Sequence, residues 1–486
     1  MLNHCKYLIL MEDKVIMIKI IRKFYFGILM LTTLNISGQT LTSDTLIKSF
    51  SRSELIQSQP LLSTMIQYGV KVYKITYQTP NIYDRESEAS GLVVIPSNKH
   101  CSWSLMSYQH GTVTHKDNVP SRYNDEAQVG TFGAAIVGSV VALPDYLGLG
   151  DSDGLHPYIH SKTEASASLD MLRATRELCN KYDINLNDDV FIFGYSQGGH
   201  ATLALQKLIE NKHSEEFTIK YSIPMSGPYD LSGVQKERSL GMDEYSAPFY
   251  IPYILLSYRT LYPNLNTYSV DEMFASPYRS IAEYFNGQYR ADQINALLPN
   301  IPNKMLNSGF YESVMSNSKH PLSLALAEND LTDWAPSSPI HFYYCGGDKL
   351  VSPLNSKIAH QKMSALDGTQ VDITEIHPTL DHQECFIPSF VKALQTFISK
   401  TATCNLLLNE IKNKPTFRIS PNPVKDNLYI TSDKQNTMKI YAIDGQLLLI
   451  KSIGPSTNRI DVSMLNAGIY LIKFGESTRK FIIDRQ

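Results

Sequence analysis

Residues 189–206 read DVFIFGYSQGGHATLALQ. Val190–Phe193 is a continuous apolar run of strand character, and Ala201–Gln206 continues as a helix that opens on small residues. Between them Gly194, Ser196 and Gly198 form G-x-S-x-G. By composition alone that pattern occurs in roughly one chain of this length in seven, so its placement between strand and helix carries the weight. A serine hydroxyl is a weak nucleophile and must project from a sharp turn to meet a base. Side chains flanking such a turn would collide, and glycine at 194 and 198 removes the collisions. The helix that follows aims its N–H groups and positive dipole end at the serine, which favours an oxyanion forming there.

A nucleophilic serine needs a base, and the base needs an orienting carboxylate. In a parallel sheet carrying this turn the chain order is serine, acid, histidine. Residues 340–352, IHFYYCGGDKLVS, give a strand, two glycines and then Asp348. Residues 371–397 give a last strand, then His382, then a closing helix expected from about Pro388. Asp348 and His382 are therefore the expected acid and base. Asp230, Asp330 and Asp333 compete for the first role, and His377, His360 and His341 for the second. Asp381 is expected to be solvated. The oxyanion hole is expected to pair the N–H of Gln197 with that of Thr112, or alternatively Gly111, in the His110-Gly111-Thr112 turn that ends the strand WSLMSYQ. His110 is expected to hold that loop.

Outward from these motifs, Lys71–Tyr77, Glu88–Ile95, Trp103–Gln109, Ala134–Leu143, Asp189–Phe193, Ile219–Met225, Ile340–Tyr344 and Thr369–Ile376 read as strands. Several lack polar alternation, as strands covered on both faces do. Ala167, Met171, Ala174 and Leu178 sit at helical spacing, with charges mainly on the other side. Strand, helix, strand implies an α/β architecture around a mostly parallel, doubly wound sheet. Residues 231–335, rich in Tyr, Pro, Asn and Leu, interrupt this rhythm as a helical insertion expected to cap the site. A polar connector follows at 401–414. Seven short runs then alternate with turn signals such as Asp444-Gly445 and Gly468, the pattern of a small all-β sandwich.

The chain has 486 residues, 44 basic and 47 acidic side chains, and a net charge of -3. That balance suits a folded protein of two or three domains and offers no electrostatic footprint for nucleic acid. Lys19, Arg22 and Lys23, the apolar Phe24–Leu34 and the small Ser37 and Gly38 have the order of an export signal. The apolar stretch is short for a stable membrane span, and Met11 and Met17 are alternative starts. Beyond the leader an odd number of cysteines remains (101, 179, 345, 385 and 404), so at least one thiol is expected free. Cys345 and Cys385 flank the expected acid and base and could approach one another. His156 and His160 have metal-like spacing, but Pro157 argues against one helix carrying both, and no metal site is expected. The glycine-rich PDYLGLGDSD (144–153) is expected as a rim loop.

The combination SYQHGT, LPDYLGLGDS, GYSQGGH, a long insertion and CGGDKLV resembles the secretory lipase group and related bacterial esterases of the α/β-hydrolase fold. That resemblance implies a capped, doubly wound sheet and hydrolysis of carboxylic esters, small-molecule or lipid, through an acyl-serine without a cofactor. SPNPV (420–424), LYI (428–430), IYAIDGQLL (440–448) and NAGIYLIKF (466–474) resemble the C-terminal sorting domain of type IX secretion substrates in Bacteroidetes. It implies engagement of that machinery, passage across the outer membrane, and release or surface attachment. The expected division is a signal peptide at 1–38, a hydrolase domain at 39–405, a linker at 406–414 and a sorting domain at 415–486. A serine peptidase of the same fold and a non-catalytic surface binding protein are the alternatives.

Overall fold

The computed structural model describes residues 39–97, 101–366, 370–401, 417–442, 446–475 and 477–485. The expected leader, most of the connector and the Asp444-Gly445 turn lie outside the described residues. Those described fall into two compact units, one within Met1–Cys404 and one within Asn405–Gln486.

The larger unit is built on nine strands: β1 (Leu41–Phe50), β2 (Val70–Pro80), β3 (Glu86–Pro96), β4 (Trp103–Gln109), β5 (Ser139–Pro144), β6 (Leu186–Tyr195), β7 (Thr218–Met225), β8 (Ile340–Cys345) and β9 (Val371–His377). Their order in the sheet is β1-β2-β3-β5-β4-β6-β7-β8-β9. The first three strands join antiparallel, and every pairing from β5 to β9 is parallel. Gln109 pairs with Gly194, Tyr195 with Met225, and Met225 with Tyr343. The carboxyl ends of β4, β6, β7 and β8 thus share one edge, where the chain emerging from each can meet its neighbours.

Alternation along the strands feeds two cores. Met106 and Tyr108 of β4 and Phe191, Phe193 and Tyr195 of β6 pack with the helices Glu126–Val137 and His382–Lys400. Trp103 and Leu105, with Val190 and Ile192, point the other way, toward the helix Ser161–Lys181. Between β7 and β8 the chain makes a run of short helices, the longest being Tyr250–Leu261. They bury a core of their own, including Tyr253, Leu255, Tyr258, Phe274 and Phe310.

Two sequence expectations need correction. Ala134–Leu143 is not one strand: Ala134–Val137 ends the helix Glu126–Val137, and β5 starts at Ser139. Gly138, at φ 76°, caps the helix in the left-handed conformation and reverses the chain inside one apolar run. The closing helix starts at His382 rather than near Pro388. Asp381 caps it reciprocally with Glu384, and Pro388 lies inside, forgoing one backbone hydrogen bond. Asp381 itself is exposed.

The smaller unit has strands β10 (Arg418–Ser420), β11 (Asn427–Ser432), β12 (Asn436–Ala442), β13 (Leu447–Ile453), β14 (Ser456–Asp461), β15 (Gly468–Phe474) and β16 (Ser477–Ile483). They form a three-stranded sheet (β10-β11-β14) and a four-stranded one (β13-β12-β15-β16), all antiparallel. Leu428, Ile430 and Ile460 from the first share a core with Met438, Ile440, Ile472 and Phe474 from the second. No described helix is long and apolar enough to cross a membrane.

Phe193 lies 4.9 Å from the ring of Tyr108 and 5.2 Å from that of Phe397, in the layer behind the serine turn. Phe193→Ala is expected to destabilise the larger unit by about 3–5 kcal/mol, measured by urea denaturation.

Candidate active site

Ser196 sits at the tip of the turn between β6 and the helix Gln197–Lys212. Its φ of 61° and ψ of -123° are unusual for a residue with a side chain. The strain is held by close backbone contact. A Cβ on Gly198 would lie 1.9 Å from the carbonyl oxygen of Gln109, and one on Gly194 would lie 2.3 Å from the carbonyl oxygen of Gly198. Only hydrogen fits at either place. The Ser196 N–H donates to the carbonyl of Met225 at the end of β7 (3.0 Å).

The structure brings Ser196, His382 and Asp348 together. Ser196 Oγ is 2.9 Å from His382 Nε2, and His382 Nδ1 is 2.6 Å from Asp348 Oδ2. A carboxylate facing Nδ1 keeps the proton there, so Nε2 offers its lone pair to the serine hydroxyl. All three residues are buried. The second oxygen of Asp348 accepts the N–H groups of Leu350 and Val351, both at 2.9 Å. That turn fixes the carboxylate independently of the histidine. Tyr195 donates its hydroxyl to the carbonyl of His382 (2.6 Å) and packs against the imidazole at 5.1 Å between centroids. A disulfide between Cys345 and Cys385 joins the end of β8 to the first turn of the His382 helix. Cys179 is a buried free thiol.

The loop after β4 lies against the serine. A Cβ on Gly111 would be 4.0 Å from Ser196 Cβ. His110 anchors this loop, its Nε2 3.2 Å from the carbonyl of Asp145. The Thr112 hydroxyl is 3.0 Å from that of Tyr158. Gln197, the first residue of the helix, is buried beside the serine.

The rival acids and bases stand elsewhere. Asp230 accepts the N–H of Val234, Asp330 binds Ser232, and Asp333 is exposed. His341 bonds Thr374 on β9, His360 lies on the helix Leu354–Ser364, and His377 is exposed at the end of β9. His156 and His160 share no helix: His156 binds the carbonyl of Leu147, and His160 caps the helix Ser161–Lys181.

A narrow cleft opens from Ser196 and Gln197 into the insertion. Its walls include Tyr158, Leu231, Tyr250, Ile254, Leu255 and Phe310. Burial, with the Asp348 carboxylate nearby, pushes the Tyr250 phenol up to about 12, so it stays neutral. Sequence patterns missed Tyr195 and these wall residues, because spacing along a chain reports neither that Tyr195 reaches the carbonyl of His382 nor which side chains line a cleft beside the serine.

Residues 133–216 match the model of the secretory lipase family, and residues 418–484 match that of the secretion system C-terminal sorting domain. Among solved structures, the rice cell wall degrading esterase LipA from Xanthomonas oryzae is 27% identical, with a TM-score of 0.66 over 74% of this chain and 97% of that one. A Legionella pneumophila protein assigned as a hydrolase is also 27% identical, with a TM-score of 0.68 over 74% and 97%. Candida antarctica lipase A, 17% identical with a TM-score of 0.56 over 75% and 84%, shares the fold. A search of curated proteins finds no match. Fold, edge and matches define an α/β-hydrolase, and the chain is a carboxylic ester hydrolase. Its sorting tail makes it an exported one, secreted or held at the cell surface.

Gly198→Ala, which sets a methyl group against the Gln109 carbonyl, is expected to cost about 3 kcal/mol of stability, read as a lowered melting temperature. A melting temperature equal to that of the unchanged protein would show that the turn tolerates a side chain there.

Proposed function

We propose that Ser196, His382 and Asp348 are the catalytic triad of an ester hydrolase that works through an acyl-serine. The observation that carries this reading is the unbroken row of hydrogen bonds from the Ser196 hydroxyl through the His382 imidazole to the Asp348 carboxylate. His382 Nε2 takes the hydroxyl proton as Ser196 Oγ bonds to the ester carbonyl carbon. Asp348 stabilises the imidazolium. The N–H groups of Gln197 and Thr112 receive the developing oxyanion. Collapse breaks the bond to the alcohol, which leaves with the proton from His382. Water then repeats the sequence on the acyl-enzyme, releasing the acid and restoring Ser196. None of these steps draws on a cofactor.

The acyl chain is assigned to the apolar cleft in the insertion, which suits lipid or small-molecule esters with hydrocarbon acyl groups. Each buried methylene contributes roughly 0.8 kcal/mol. The proposed division of the chain is a leader at 1–38, the hydrolase at 39–405 with its cap at about 231–335, a linker at 406–414 and the sorting domain at 415–486. The last would engage the type IX machinery.

Turnover of a short-chain aryl ester by purified protein tests the triad. Ser196→Ala is expected to lower kcat by about four to six orders of magnitude, and Asp348→Asn by about four. Unchanged turnover in the serine variant would refute the assignment. Across a series from acetyl to octanoyl esters, kcat/KM is expected to rise with chain length. A flat series would remove the acyl chain from this cleft.

A further inference from the structure

Beneath the serine turn lies a second set of buried polar groups that the proposed chemistry does not use. The Gln197 side chain points into it. Its amide nitrogen donates to Glu164 Oε1 and to His156 Nε2, both at 2.8 Å. These partners fix which way the amide faces. His156 Nδ1 must donate to the carbonyl of Leu147 (2.8 Å), leaving Nε2 as a lone pair. A flipped amide would set its oxygen against two acceptors. Burial lowers His156 to about 4, which keeps it neutral.

The other oxygen of Glu164 is 2.7 Å from His200 Nδ1, and His200 Nε2 is 2.9 Å from the carbonyl of Asn329. A carbonyl only accepts, so Nε2 carries a hydrogen. One further proton lies between Nδ1 and the carboxyl group, and wherever it resides the pair has no net charge. Glu164 and His200 are both almost completely buried. A buried pair of this kind is weak as a source of stability, because desolvation offsets the attraction. Its geometry is more specific. Glu164 comes from the helix Ser161–Lys181, His200 from the first turn after Ser196, and Asn329 from the segment closing the insertion. Asn329 Oδ1 also accepts the N–H of Ser161 at 2.8 Å, which closes the circuit.

We propose that Glu164 and His200 are positioning residues for the oxyanion-binding N–H of Gln197, acting by clamping its side chain. This rests on the reading of Ser196 as nucleophile. Ser196 is anchored on one side by its own N–H on Met225. The clamp on Gln197 holds the next peptide from the other side. A donor misplaced by a fraction of an ångström loses much of its hold on the oxyanion and little of its hold on the substrate, so the effect falls on kcat.

The test measures kcat, KM and melting temperature on a short-chain aryl ester for the unchanged protein, Glu164→Leu, Glu164→Gln, Gln197→Met and the Glu164→Leu/Gln197→Met pair. Glu164→Leu and Gln197→Met are each expected to lower kcat about ten- to hundredfold with KM within about twofold. The double variant should lose no more than the worse single one, because both cut one clamp. Glutamine at 164 can accept from Gln197 and donate to a neutral His200. Glu164→Gln should therefore recover at least about tenfold of the kcat lost in Glu164→Leu, the ratio a restored oxyanion donor supplies. Should Glu164→Leu fail to fold, Gln197→Met carries the same expectation. Undiminished kcat in Gln197→Met, additive losses, or no recovery with glutamine would each overturn the proposal. An unchanged protein without esterase activity, or activity that survives Ser196→Ala, would instead overturn the reading on which it rests.

Discussion

One backbone contact governs the geometry of this protein: the approach of Gly198 to the carbonyl of Gln109. A helix can begin directly after β6 only if its first turn rests on the end of the adjacent strand, and there is no room between them for a methyl group. That contact obliges Ser196 to take its positive-φ conformation and lifts its side chain clear of the sheet. It also brings the loop beyond Gln109 up to the serine. The serine turn and the loop after β4 are thus products of a single packing event between neighbouring parallel strands. The acid and the histidine reach the same edge from β8 and from the turn after β9, carried there by strand order.

Legibility in the sequence followed the range of the interactions. The serine turn was legible because its glycines, apolar strand and small-residue helix lie within eighteen consecutive residues. Asp348 and His382 were legible less directly, through the chain order that a parallel sheet imposes. Boundaries failed where two elements share one apolar run, as at Gly138, and where Pro388 looked like a helix start although Asp381 already capped one. Strand β1 left little trace, since it lies on the sheet edge with most of its side chains exposed. The cluster of Glu164, His156 and His200 left none. Its members stand far apart along the chain, and a lone buried histidine has no signature until its partners are in place.

The insertion is more than a loop that grew. It buries its own aromatic and aliphatic core, and its longest helix places Tyr250, Ile254 and Leu255 along the cleft that leads to Ser196. The hydrolase layers and the insertion are therefore two packed bodies within one unit, meeting at the serine. Asn329, near the end of the insertion, ties it by hydrogen bonds to both helices that flank the turn.

The Cys345–Cys385 bridge has a consequence for where the molecule matures. It staples the strand that precedes Asp348 to the helix that opens with His382. Thiols stay reduced in a bacterial cytoplasm, and such cross-links form in the periplasm. An exported chain therefore gains this staple only after leaving the cytoplasm, so the Asp348 turn and the His382 helix are locked together outside the compartment in which the chain is made.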